Sequence, residues 1–332
     1  MSGYWDESEQ AFAQAAEDLT GTAQQEALYK RLLAAAQSGN DDRVLAAIGA
    51  LLAADPKTYY FGPAHEMQAR VLARQGKKNE AIAALEKVVT APGMNVRDLF
   101  SAKYLQIWFS KTLGADTVEK WVAAERAYRD LIAEIDRVPT ARRGLAESPR
   151  FRAMMSLGES LRGQGKVEDA KKLFDEILAA SGETTDRAIL AGVYYGLGDV
   201  AFEEASRLQA TAAGTPATRA RVKELLDTAA LHYLRVTLHY REQVEQRELF
   251  GSTRGLARVF GALFALSNEK DCEMGRRAYD HFRQAVTMVG QGEELRLLVG
   301  EGKALKKRLD EVCKAEKTTE EEGEEPEGEG AR

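Results

Sequence analysis

The sequence predicts an all-α protein, a stack of antiparallel helix pairs, and three observations lead there. Alanine, leucine, glutamate, lysine and arginine abound while only 7 of 332 residues are proline, a balance that favours helix along most of the chain. An apolar triplet at i, i+4 and i+7 recurs in six places, and that spacing lines one face of a helix. A glycine–lysine turn precedes two of the triplets in closely similar surroundings. With 44% hydrophobic residues, the chain can bury an extensive interior.

Residues 1–24 carry an N-terminal helix, expected over 4–20, and residues 25–290 form an array of about six helix pairs. The six triplets are Val44/Ile48/Leu51, Ala81/Leu85/Val88, Ala124/Tyr128/Leu131, Ala170/Phe174/Ile177, Ala229/Tyr233/Val236 and Ala278/Phe282/Ala285. Their starts lie 37, 43, 46, 59 and 49 residues apart, so the units differ in length. The widest gap locates a long-helix hairpin at 186–248. There GTPATRA (214–220) supplies a glycine stop, a threonine N-cap and a proline at the first helical position. The first helix of that hairpin is predicted from about Asp186 to Ala212, ~40 Å at 1.5 Å per residue. Residues 291–314 read as a closing helix with a charged outer face, the cap that a repeat array requires. Residues 315–332 lack an apolar anchor and are expected to be disordered.

The stretch GQGK (163–166) resembles a phosphate cradle only in part. That loop needs G-x-x-x-x-G-K-[ST], and Val167 stands where the metal-binding hydroxyl belongs. RQGKKNEAIAALEKVV (74–89) repeats the core of RGQGKVEDAKKLFDEIL (162–178) with one glycine fewer. Gly76 and Gly165 are therefore expected to be helix-ending residues with positive φ in tight turns.

Charge and rare residues exclude several function classes. Eight glutamates against Lys317 and Arg332 in residues 315–332 account for the whole net charge of −6, so the body is formally neutral and offers no bulk basic footprint for nucleic acid. The acidic start MSGYWDESEQ has no basic and apolar leader pattern, and the apolar run VFGALFAL (259–266) is too short to span a bilayer. A soluble, cytoplasmic protein without membrane insertion is expected. Cys272 and Cys313, 41 positions apart without C-x-x-C spacing, are expected to be two reduced thiols. His232 and His239 share a helix face but lack a carboxylate at ligand spacing, His65-Glu66 does not open an H-E-x-x-H, and His281 beside Asp280 is no better. Acidic pairs such as Glu203-Glu204 and Asp41-Asp42 fit solvated faces or turns. No catalytic residue, metal or cofactor is expected, and the chain is taken as non-enzymatic.

Met154, Leu157, Gly158, Leu161, Ala170 and Phe174 reproduce the spacing W-x-x-L-G-x-x-Y…A-x-x-x-F, with methionine and leucine at the aromatic ends. Tyr194, Leu197, Gly198 and Ala201 match in part, as do Ala69, Leu72, Gly76, Ala81 and Leu85, and Asp55-Pro56 falls where a closing proline belongs. The chain resembles the tetratricopeptide repeat family over roughly 25–290. The resemblance implies a right-handed α-solenoid whose first helices line a concave groove. Carried over to this sequence, the groove positions are Tyr29, Glu66, Arg70, Arg152, Met155, Glu159, Arg162, Tyr195, Asp199 and Phe202. Aromatic, methionine and arginine side chains commonly anchor a partner, although Met155 and Phe202 serve equally well as helix-packing residues. The lysine and asparagines with which chaperone-binding members hold a peptide carboxylate are absent from the fifth and ninth positions, Tyr29/Leu33, Glu66/Arg70, Met155/Glu159 and Tyr195/Asp199.

The expected function is a module that binds a protein or peptide in its groove. One alternative is an assembly or adaptor subunit of a bacterial envelope or secretion complex. Another is a regulatory or nucleic-acid-associated role for the arginines between 219 and 258, where eight basic residues face five acidic ones.

Overall fold

The computed structural model describes residues 2–183, 185–211, 214–242, 246–290 and 292–321, and the statements below concern those residues. They form helices and no strand. Two compact units divide the chain, residues 1–164 and 165–332.

The first unit opens with α1 (Ser2–Asp18), α2 (Gly21–Gln37) and α3 (Asp41–Ala54). Glu9 of α1 is buried and meets two arginines, Arg31 of α2 at 3.4 Å and Arg43 of α3 at 2.6 Å, while Arg43 also holds Asp6. Two cations on one buried carboxylate secure α1 to the stack, because removing either partner would strand charge away from water. The Asn40 side chain accepts from the backbone N–H groups of Asp42 and Arg43 and so starts α3. Next come α4 (Phe61–Arg74) and α5 (Lys78–Thr90). Gly76 lies between them with φ of 77°, and Lys77 N–H donates to Leu72 O at 2.8 Å, the closing bond of a left-handed helix stop.

A third pair follows: α6 (Val96–Ile107), a π-helical turn (Trp108–Thr112) and α7 (Val118–Asp136). The widened turn closes with Leu113 N–H donating to Trp108 O at 2.8 Å. A short helix α8 (Thr140–Arg143) and a 3₁₀ turn lead into α9 (Glu147–Gly163), which packs on α7 and α6. Trp121 explains Gly163: a methyl there would sit 2.5 Å from the indole.

The second unit contains α10 (Val167–Ala180), α11 (Arg187–Thr211), α12 (Pro216–Leu234) with a π-helical end (Arg235–His239), α13 (Gln246–Leu266), α14 (Cys272–Met288) and α15 (Glu293–Glu321). Among these helices α11, of 25 residues, packs against α12, of 19. The Thr215 side chain accepts from Thr218 N–H and Pro216 occupies the first turn of α12. Gly165, ahead of α10, has φ of 77° as well, so both glycines are turn residues. Rings fill this unit's core and glycines admit them. A Cβ would lie 2.5 Å from the Phe174 ring at Gly196, and 2.6 Å and 2.5 Å from Tyr233 at Gly198 and Gly255. All six sequence triplets are buried.

Two expectations change at the C-terminus. The closing helix does not stop at Lys314 but runs to Glu321, and the remainder of the acidic tail, 322–332, lies outside the described residues. Cys272 and Cys313 are not reduced thiols: they form a disulfide, with Cα atoms 6.0 Å apart. Their 41-residue separation hid a proximity created by α14 and α15 lying side by side. Arg308 pairs with Glu269 in the turn before α14, and Leu298, Leu305 and Leu309 seat α15 on the core.

Candidate functional site

In the first unit, first helices of successive pairs lie next to one another, α4 against α6 and α6 against α9. Gly62 permits the first contact, since a methyl there would meet the Asp98 side chain at 2.4 Å. Tyr29 of α2 stacks on Tyr60, with centroids 4.1 Å apart and planes 9° from parallel. Burial pushes the Tyr29 hydroxyl up, with Tyr60, Glu66 and Asp98 adding to the effect and Arg97 opposing it. Tyr29, Tyr60, Glu66, Arg97 and Asp98 are thus electrostatic neighbours on one surface. Glu66 and Arg70 pair at 3.2 Å one helical turn apart, and both are half-buried. Asp98 is held up chiefly by burial, against the hydrogen bond it accepts from Asn95 Nδ2 at 2.7 Å.

Farther along this face, the buried Tyr104 hydroxyl is pushed up to about 12 by desolvation and lies 3.3 Å from Ser156 Oγ. Glu159, Arg152 and Arg70 act on it through space, which brings α4, α6 and α9 to one neighbourhood. Glu159 is 7% exposed, so its side chain lies beneath the surface. Arg152, Met155 and Arg162 are half-buried along the same helix.

In the second unit, Tyr195, Asp199 and Phe202 follow one another along α11 but are occupied by neighbouring helices. Tyr195 lies over Gly251, whose added Cβ would be 2.7 Å from the ring. Asp199 accepts a 2.6 Å hydrogen bond from the Tyr233 hydroxyl. Phe202 carries the Arg258 guanidinium 4.7 Å above its ring and packs on the core. These three share a helix with one another, yet much of their surface is already committed.

The residues that sequence spacing missed are Arg97, Asp98 and Tyr104 of α6. The third triplet was visible, but the π-helical turn and the loop to α7 displaced its first helix from the expected register. Asn95, whose side chain caps α6 by accepting from Asp98 N–H, was the available signal. Several of the arginines between 219 and 258 have intramolecular partners: Arg221 pairs with Glu224, Arg254 with Glu294, Arg235 lies over Tyr194 and Arg258 over Phe202.

Histidine positions follow packing. His65 Nδ1 lies 2.9 Å from Gln68 Oε1 with the ring against Phe61, and His281 stacks on Phe260. His232 stacks on Tyr194 and is held down to about 4, first by burial and then by Arg235. Among the described residues, no group of three or more His, Cys, Asp or Glu side chains could hold a metal ion, and no helix is long and apolar enough to cross a membrane.

A run of helix pairs presenting side chains from adjacent first helices defines the class: an all-helical repeat protein. Residues 106–224 match the family described as Tetratrico peptide repeat, which supports a tetratricopeptide-repeat assignment and, with it, a protein-interaction solenoid in general terms. Solved structures that the chain resembles include a tetratricopeptide repeat protein from Parabacteroides merdae ATCC 43184, at 16% identity and a TM-score of 0.41, covering 84% of this chain and 98% of that one. Among curated proteins, no relative matches the chain.

Proposed function

We propose that the protein is a non-enzymatic scaffold that holds a protein or peptide partner on the first-helix face of its repeats, with the first unit as the principal surface. The observation that carries this is the neighbourhood of Tyr29, Tyr60, Glu66, Arg70, Arg97 and Asp98, drawn from α2, the turn before α4, α4 and α6. Stacked tyrosines give a rigid amphipathic platform, and the paired acids and arginines beside it suit a partner segment of alternating charge. Arg152, Met155, Glu159 and Arg162 extend the surface along α9. In the second unit, Tyr195, Asp199 and Phe202 serve as support more than as contact, given their intramolecular partners.

The same pairing of arginines weighs against nucleic acid as the ligand, because each guanidinium engaged with a glutamate is one fewer to displace counterions. The envelope or secretion-complex alternative gains from one observation, the Cys272–Cys313 disulfide, which suits an oxidising compartment and weighs against a cytoplasmic one. Affinity capture with the full chain, run in parallel with an Arg70→Ala/Arg97→Ala variant, tests the scaffold. Recovery of the same specific protein by both would remove the first-helix face from the account.

A further inference from the structure

Arg276, Tyr279 and Asp280 of α14 and Lys306, Leu309, Asp310 and Cys313 of α15 line an open cavity of about 360 Å³. That volume lies at the small end of the ~300–1,000 Å³ usual for ligand pockets. Three features of it point the same way. Its wall includes one cysteine of the disulfide: Cys313 is half-buried and lines the cavity, whereas Cys272 is only 8% exposed. Its charges come in both signs, two cations and two carboxylates, around a floor of Tyr279 and Leu309. Lys306 is held over that floor, its Nζ 6.0 Å from the Tyr279 ring centroid.

We propose that the Cys313 sulfur is a thiol-exchange site for a small zwitterionic thiol of the amino-acid type, one that carries both an ammonium and a carboxylate. Arg276 and Lys306 receive the carboxylate, and Asp280 and Asp310 receive the ammonium. The incoming thiolate attacks Cys313 Sγ, a new S–S bond forms there, the Cys272–Cys313 bond breaks, and its electron pair leaves on Cys272. The product is Cys313 in mixed disulfide with the small thiol and Cys272 as a thiolate. The Cys272 thiolate reverses the step by attacking Cys313 Sγ, which expels the small thiolate and restores the original bond. If a second small thiolate attacks the small thiol's own sulfur instead, the symmetrical small disulfide departs and both cysteines are left reduced, with the small thiol as the reductant.

The test uses the full chain and four probes: cysteine, cysteamine with only the ammonium, 3-mercaptopropionate with only the carboxylate, and neutral 2-mercaptoethanol. Opening rates are divided by each thiol's rate on a small unconstrained disulfide, which removes differences in intrinsic nucleophilicity. Cysteine is expected to exceed the best of the other three by about tenfold, the worth of one additional charge-assisted hydrogen bond. Peptide mapping of the first adduct is expected to find it on Cys313. An Arg276→Gln/Lys306→Gln variant should lose the advantage of cysteine over cysteamine, the probe that lacks the carboxylate. Equal corrected rates for the four thiols, a first adduct on Cys272, or an undiminished cysteine advantage in the variant would overturn the proposal.

Discussion

Tyr128 in the first unit and Tyr233 in the second occupy the same place in their repeats, the middle of an apolar triplet, and their hydroxyls meet different fates. Tyr128 lies wholly inside and shares a 2.7 Å hydrogen bond with Thr112 Oγ1, itself buried at the π-helical turn that ends α6. Tyr233 is equally buried through its ring, but its hydroxyl reaches the half-buried Asp199 at 2.6 Å. Triplet spacing determines that a ring is interior. It does not determine whether the polar end of that ring locks two buried elements together or anchors a carboxylate near the surface. The first arrangement stabilises an irregular turn, and the second draws α11 side chains into internal contacts.

The largest way to break the comparison is to remove the rings. Phe174→Ala and Tyr233→Ala, measured by denaturant unfolding, should each cost about 3–5 kcal/mol, because the three glycines beside these rings leave no side chain to collapse into the void. The opposite change comes next. Gly255→Ala places a methyl 2.5 Å from the Tyr233 ring and should cost about 1–3 kcal/mol by overpacking. A cost near zero would mean the ring is not held against α13.

Removing only the hydroxyls sharpens the contrast. Tyr128→Phe leaves Thr112 with a buried hydroxyl short of its partner and should cost about 1–3 kcal/mol, whereas Tyr233→Phe lets water reach Asp199 and should cost about 0.5–1.5 kcal/mol. Equal costs would show that the two environments do not differ as described.

The smallest expected effect is on pH dependence. The folded-state pKa of His232 lies near 4 against an ordinary 6.5, so its stabilising contribution is complete above pH 6.5 and is lost as pH falls toward 4. Lys171, Asp175 and Arg235 face it, and burial dominates. His65 and His281 are lowered too and share the sign. His232→Gln should therefore flatten part of the fall in melting temperature between pH 6.5 and 4. An unchanged profile would place the titrating groups elsewhere.

Much of this fold is legible in the sequence because burial on a helix has a fixed period. Val44/Ile48/Leu51 and its five successors are interior, and the glycine–lysine turns have the positive φ that their position after a helix requires. What was hidden depends on three-dimensional neighbours or on irregular backbone. The Cys272–Cys313 bond needs two helices side by side, and the α6 contribution to the first-unit face needs a register that the π-helical turn at Trp108–Thr112 shifts. The neighbourhood proposed as the site was legible in part: Tyr29, Glu66 and Arg70 lie near one another, but spacing could not show that Tyr29 stacks on Tyr60. That stack also changes the choice of probe. Truncating Tyr29 would remove a ring pair worth about 0.5–1.5 kcal/mol, so Tyr29→Ala is not neutral for stability and the arginines are the cleaner substitutions.

Binding is therefore best measured with Arg70 and Arg97. Once a specific partner has been captured, its Kd is determined by calorimetry for the wild-type chain, for Arg70→Ala/Arg97→Ala, and for a control changed at the tip of the long hairpin, Thr218→Ala/Arg219→Ala. The first-helix account predicts that the arginine pair weakens binding by about tenfold or more, the worth of one charge-assisted contact, while the hairpin control binds as wild type and all three melt alike. Normal binding by the arginine variant together with a loss in the hairpin variant would contradict it and move recognition to the turn between α11 and α12.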